Sequence, residues 1–375
     1  MIAMKYERPK FGDPNVATEK VTAIFSNVEN EVPKFETSIT PVENFRRTAA
    51  RKDPLWMPCS TTDFQTLMTH DVASGIVRGM QIHSDLKRPA PEDYEFKDWF
   101  GTDWTFVRSA GGAMLTPGTQ LLEDITDWEK NIVWPDFSEW GFEEKAAGYM
   151  RDKYDPRKVM HYDIGRGCTE RLVSIMGGYT ESMLALAVEP EAVADFFSAY
   201  ADFVISFFDK INSLYPLDLV TLHDDWGTER DTFFSEKMME ELVFEPTKKI
   251  VDHIKSKNVV FELHACGNVT RFIPHSIKMG AELLQLQRRA VDVPELKRKY
   301  GDKVGFCTQM EGFDFTKEYT QDEVISLVRN SVDLYAPGGG CYTSVMFREP
   351  EKQWAALAEL HYYSRELYDK EQGRV

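Results

Sequence analysis

Apolar and polar side chains alternate through Phe261-Glu262-Leu263-His264-Ala265-Cys266, and the run stops at Gly267-Asn268. Side chains alternate across a strand, so Phe261, Leu263 and Ala265 share one face while Glu262, His264 and Cys266 share the other. The same kind of segment recurs along the second half of the chain. Strands are expected at Val159–Ile164, Leu217–Leu222, Leu283–Gln287 and Val304–Thr308, with a further one starting near Cys341. Helices are expected between them at Glu170–Met176, Glu181–Val188, Pro190–Leu214, from the cap at Ser235 to about Lys255, and at Val269–Met279, Val293–Tyr300 and Gln321–Tyr335. A last helix runs from about Glu349 to Gln372. Val193, Phe196, Phe197, Tyr200, Phe203 and Val204 form one broad apolar stripe on the longest of the inner helices. Strand and helix in alternation predict parallel βαβ units.

Upstream the pattern is weaker. Residues 1–38 are polar and irregular, and are expected to form an arm or lid, or the contact of a homodimer. Thr40-Pro41 opens a helix over Pro41–Arg51, because a Thr cap followed by Pro in the first turn is a start signal. Pro54–Pro58 leads into a short strand with Cys59 near its end. Asp98–Trp104 is rich in aromatics and reads as core packing with a turn at Gly101. Gly165-Arg166-Gly167 would let a ligand approach the backbone, although a lone Gly-x-Gly is a weak signal.

The polar residues collect where the strands end: His223-Asp224-Asp225, His264-x-Cys266, Gln285-x-Gln287, Cys307-x-Gln309 and Cys341. A (β/α)8 TIM barrel opens all its C-terminal strand ends onto one mouth, whereas a doubly wound sheet gathers its chemistry at one switch point. The expected architecture is therefore α/β: a (β/α)8 barrel over residues 39–375 with an N-terminal extension over 1–38.

Composition narrows the function. The 61 acidic residues against 44 basic give a net charge of −17, which disfavours nucleic acid as a partner. No apolar run reaches membrane-spanning length and no secretory leader is recognisable, so a cytoplasmic protein is expected. Five cysteines at scattered spacing suit metal or thiol chemistry better than a disulfide framework.

An imidazole and a thiol on one face of one strand end suit Zn²⁺. The plainer alternative is a buried His bonded to the backbone beside an inert Cys. Cys341, at another strand of the same expected barrel, tips the balance towards zinc held by His264, Cys266 and Cys341 with the fourth position open. Asp224, Asp225 and Glu229 are candidates to protonate or orient a leaving group, or else to cap the loop. His223, Gln285, Gln287 and Glu262 are candidates to orient substrate.

His264–Asn268, the preceding His223–Thr228, the following Val291–Lys297, and Asp98–Trp104, Met176–Gly178 and Ala336–Gly339 together resemble the uroporphyrinogen decarboxylase superfamily. The His-x-Cys pair with a distant Cys is similar to its zinc- and corrinoid-dependent methyltransferase branch. The resemblance implies a (β/α)8 barrel with zinc at His264, Cys266 and Cys341. It also implies a methyl group passed between a small donor or acceptor and a corrinoid protein, the donor being for instance a methoxylated aromatic undergoing O-demethylation. No Asp-x-His-x-x-Gly corrinoid motif is found here, so the corrinoid would come on the partner. The alternative within the superfamily is a tetrapyrrole decarboxylase. That activity needs arginines in the mouth, and Trp56–Thr62, where the decarboxylases carry theirs, has none. A non-catalytic binder of corrinoid or zinc is the remaining alternative.

Overall fold

The structure is a computed structural model describing residues 6–22, 29–73, 92–109, 112–138, 140–314 and 316–374. Twelve strands are present among them. The strands are β1 (Thr18–Thr22), β2 (Glu29–Pro33), β3 (Phe64–Thr66), β4 (Tyr94–Lys97), β5 (Asp103–Val107), β6 (Gly112–Leu115), β7 (Val159–Ile164), β8 (Leu219–His223), β9 (Val260–Ala265), β10 (Leu283–Leu286), β11 (Gly305–Gln309) and β12 (Cys341–Ser344).

Seven of these form one curled parallel sheet in the order β12-β11-β10-β9-β8-β7-β3. Helices connect the successive strands from β7 onward, as the alternation predicts. The eighth strand expected of a full barrel is not formed among the described residues. In its place, Cys59 makes a single parallel bridge to Thr343, whose N–H donates to Pro58 at 3.0 Å. The chain then turns through a short helix, Ser60–Asp63, before pairing with β7 as β3. One segment thus touches both edges of the sheet.

The alternation of the sequence maps onto the two faces of this sheet. Met160, Tyr162, Val220, Leu222, Phe261, Leu263, Leu284 and Phe306 point outward into the large core shared with the helices. Phe64, Val159, Leu219, Val260 and Leu283, with Phe45 and Tyr342, form a separate apolar plug inside the curl. Above the plug, at the C-terminal strand ends, the inward positions turn polar. That change marks where the chemistry lies.

The Asp98–Trp104 stretch packs as expected of core. Asp98 pairs with the buried Arg171 at 2.8 Å, and the Arg171 guanidinium lies 4.1 Å from the Phe100 ring centre. It also belongs to a second, three-stranded antiparallel sheet, β4-β5-β6, which the sequence pattern did not reveal. The described part of the arm includes the β1–β2 hairpin and packs on the C-terminal helix Pro350–Glu371. Arg8 bonds there to Glu359 and Glu366 at 3.1 and 2.7 Å. No described residue of 1–38 lines the cavity at the strand ends. No helix is long and apolar enough to cross a membrane among the described residues.

Candidate metal centre

The C-terminal ends of β7 to β12 surround a cavity of about 710 Å³. Its lining includes His161, Asp163, His223, His264, Cys266, Gln285, Gln287, Cys307, Gln309 and Tyr342. On its rim Asp225, His264 and Cys266 present one oxygen, one nitrogen and one sulfur within 4.8 Å of one another. His264 Nε2 lies 3.3 Å from Cys266 Sγ and 3.6 Å from Asp225 Oδ1. Bonds of roughly 2.0–2.3 Å to a tetrahedral Zn²⁺ place neighbouring ligand atoms about 3.3–3.8 Å apart. Both distances fall in that range.

Local structure explains how one strand residue and two loop residues converge. β9 ends at Ala265, so Cys266 lies just beyond it, on the face that carries Glu262 and His264. Its N–H donates to Asp225 Oδ1 at 2.7 Å, which ties the loop after β8 to the loop after β9. Gly267 makes the approach possible. It has φ of +82°, and a Cβ there would sit 2.1 Å from the Gly227 carbonyl oxygen. No other residue fits that position without moving the backbone.

The imidazole of His264 is held from behind. Its Nδ1 lies 2.8 Å from Gln285 Oε1, while Gln285 Nε2 lies 3.4 Å from Glu262 Oε1 and 3.6 Å from Cys307 Sγ. The amide NH₂ faces the carboxylate, so its oxygen faces His264 and the ring proton sits on Nδ1. Nε2 is left as a lone pair facing Cys266 and Asp225. Burial, with His223 close by, pushes the His264 pKa down to about 4, so the ring is neutral near pH 7. Burial pushes the Cys266 thiol well up, and the nearby Asp225 adds to it. A cation in the cluster would reverse that effect.

Below the cluster lies a network that the sequence only partly disclosed. Glu262 is fully buried and accepts from Thr221 Oγ1 at 2.8 Å and from the Tyr342 hydroxyl at 2.9 and 2.8 Å. Asp163 lies 3.2 Å from His161 Nε2 and 3.4 Å from His223 Nε2. Despite burial, these imidazoles hold Asp163 well below the usual carboxylate range. The His223 and His264 rings are 4.4 Å apart at a 32° tilt. His161, Asp163 and Tyr342 were missed as site residues. The alternation rule used on the central strand would have found the first two, because Val159, His161 and Asp163 share one parity.

Other expectations are corrected by the structure. Cys341 is not with His264 and Cys266; Asp225 stands there instead. Through the parallel registers, His264 is level with Gln285, Gln285 with Cys307, and Cys307 with Tyr342. Tyr342 therefore faces inward, and Cys341, one residue earlier at the N-terminal start of β12, faces the outer core, fully buried. Asp224 is not exposed to the cavity either. It accepts from the N–H of Glu170 at 2.8 Å and of Thr169 at 3.3 Å, and from the Thr169 hydroxyl, so it caps the helix Cys168–Ile175. Burial raises its pKa to about 6. The glycine before that helix serves this contact: a Cβ on Gly167 would lie 2.4 Å from the Asp224 carboxyl carbon. Glu229 is exposed and does not line the cavity. Gln287 lines it, but its Oε1 accepts the Gly267 N–H at 2.9 Å and so also holds the metal loop.

Residues 168–339 match the family model described as Uroporphyrinogen decarboxylase (URO-D). The fold is similar to that of a methyltransferase from Methanosarcina mazei, with a TM-score of 0.59, 13% identity, and coverage of 86% of this chain and 98% of that one. At that identity the likeness is one of fold. A solved structure of an uncharacterized protein overlaps 43% of this chain and 44% of its own at 14% identity, and its TM-score of 0.25 carries no argument. No curated protein matches the chain.

Proposed function

We propose that this protein is a zinc-dependent methyltransferase of the uroporphyrinogen decarboxylase superfamily, moving a methyl group between a small substrate and a corrinoid carried by a separate protein. The observation that carries the proposal is the convergence of His264 Nε2, Cys266 Sγ and Asp225 Oδ1 at one rim of a barrel-like mouth, with both distances from His264 suiting Zn²⁺. A methyltransferase among the proteins of similar fold agrees with it. In this reading residues 58–66 close the curled sheet into a (β/α)8-type barrel.

The bound zinc would supply Lewis acidity towards a heteroatom of the substrate. The chain's own groups do the rest. His264, Cys266 and Asp225 hold the metal, Gln285 fixes the imidazole tautomer, and Gln287 with Gly267 fixes the loop. The cavity is of a size that encloses a small organic molecule. Phe64 and Met68 give it an apolar wall, while His161, Asp163 and His223 give it a polar floor. A methyl ether or methylated amine has both kinds of surface. A tetrapyrrole decarboxylase is less well supported. Two arginines line the cavity, Arg288 and Arg289, and Arg288 is already bonded to the carbonyls of Met310 and Phe313 at 3.3 and 2.8 Å. Arg166 lies over the Trp104 ring at 4.0 Å.

The test is to mix the zinc-loaded protein with a reduced corrinoid protein and a panel of methoxylated aromatics and methylamines, and to follow the visible spectrum of the corrinoid. Methylation of the corrinoid that is lost in His264→Ala is the expected result. Methyl transfer without corrinoid, or carbon dioxide release from a porphyrinogen, would overturn the proposal.

A further inference from the structure

We propose that a second cavity, at the N-terminal ends of the strands, binds a small organic amine. This site is remote from the metal cluster: Asp63 precedes β3 and Lys158 precedes β7, whereas the cluster lies where the strands end. The cavity has a volume of about 710 Å³ and is walled by Phe35, Ile39, Trp56, Asp63, Lys158 and His361 among others. A narrow extension continues between Trp56, Asp63, Leu357 and His361.

Two buried polar groups face this space. His361, on the C-terminal helix, is 4% exposed, and its Nε2 has no hydrogen-bond partner among the described residues. A buried polar atom without a partner is costly, and calls for one. The ring stacks flat on Phe35 at 4.1 Å and lies 5.3 Å from Trp56, so it is fixed in place by aromatic neighbours. Burial keeps it neutral, with a pKa near 3. Asp63 is 7% exposed and accepts from Trp56 Nε1 at 2.9 Å, the Cys59 N–H at 3.1 Å and Thr62 Oγ1 at 3.3 Å.

Of the other charges of the lining, Lys34 and Glu36 are exposed to solvent and the rest are paired. Lys158 pairs with Glu19 at 2.6 Å, Arg157 with Asp155 at 2.8 Å, and Glu43 with Arg47 at 2.5 Å. What the interior offers a ligand is therefore a carboxylate, an imidazole nitrogen and aromatic surface. An ammonium group answers all three. With the His361 ring proton on Nδ1, the ammonium donates to the Nε2 lone pair, neutralises the buried carboxylate, and is attracted to the rings of Trp56 and Phe35. A carboxylate ligand would instead confront Asp63 with no free donor from His361 in that tautomer.

The test is calorimetric titration of the full-length chain with benzylamine, benzyl alcohol and benzoate at neutral pH, together with hydrogen–deuterium exchange in the presence of benzylamine. Benzylamine should bind at one site per chain, at least about 10-fold tighter than benzyl alcohol, with benzoate not bound, because charge-assisted hydrogen bonds are the stronger ones. Protection should fall on residues 34–41 and 357–361. His361→Phe, which preserves the stack on Phe35, and Asp63→Asn should each weaken the amine by about 10-fold or more while leaving zinc content unchanged. Absence of benzylamine binding, equal binding of benzoate, protection confined to the C-terminal strand ends, or unaltered affinity in a folded variant would overturn the proposal. If a variant does not fold, the ligand selectivity and protection map of the native chain decide the matter.

Discussion

His264 Nδ1 and Gln285 Oε1 lie 2.8 Å apart on adjacent strands that pair residue for residue at this level. The pairing of β9 with β10 thus sets which imidazole nitrogen is free. Because the Gln285 amide is itself anchored between Glu262 and Cys307, the ring cannot turn over without leaving the Gln285 oxygen facing a ring carbon with no donor. Replacing Gln285 with Leu should lower zinc affinity by about 10–100-fold without unfolding the protein. Competition with a chromophoric chelator measures this; an affinity unchanged from the native chain would mean that the ring is held by something else.

Zinc binding should release about one proton per ion near pH 7.5, and that proton comes from Cys266. Burial raises the thiol above its ordinary value, so it is protonated before the metal arrives and must ionise to bind it. His264, with its pKa lowered to about 4, is already neutral and gives up none. Affinity should therefore rise with pH through neutrality and level off only above the thiol range. Calorimetry in buffers of different ionisation enthalpy counts the protons. A count near two would mean that a second thiol takes part.

Gly267→Ala should destabilise the fold by about 2–5 kcal/mol, combining an unfavourable left-handed conformation with overpacking against Gly227. Loss of zinc binding should accompany it, because the displaced loop carries Cys266. Urea unfolding and metal content measured together check both effects. Stability within about 0.5 kcal/mol of the native chain would contradict the crowding seen here.

Much of the fold was legible because the period of the apolar pattern is a local property. The parity of Phe261, Leu263 and Ala265 against Glu262, His264 and Cys266 places the first set in the outer core and the second on the inside of the sheet. The helices over Val293–Tyr300 and Gln321–Tyr335 fall where capping and periodicity put them. The third metal-cluster residue was not legible in this way. Cys341 and Asp225 are both polar residues near strand termini, and a one-residue change of parity decides between them. That parity is fixed by register with β11, a long-range pairing that a single strand does not record. The two small antiparallel sheets were missed for a related reason: their strands are four or five residues long and their partners decide their existence.

Cys341→Ser should leave the zinc stoichiometry of the native chain unchanged, whereas Cys266→Ser should abolish it. The sulfur count at the metal tests the same point without any substitution. Zinc K-edge absorption spectroscopy of the native protein should give one sulfur neighbour at about 2.3 Å and the remaining neighbours as nitrogen or oxygen at about 2.0–2.1 Å. Two sulfur neighbours would contradict the Asp225–His264–Cys266 site, and a protein that binds no zinc would contradict the metal centre altogether.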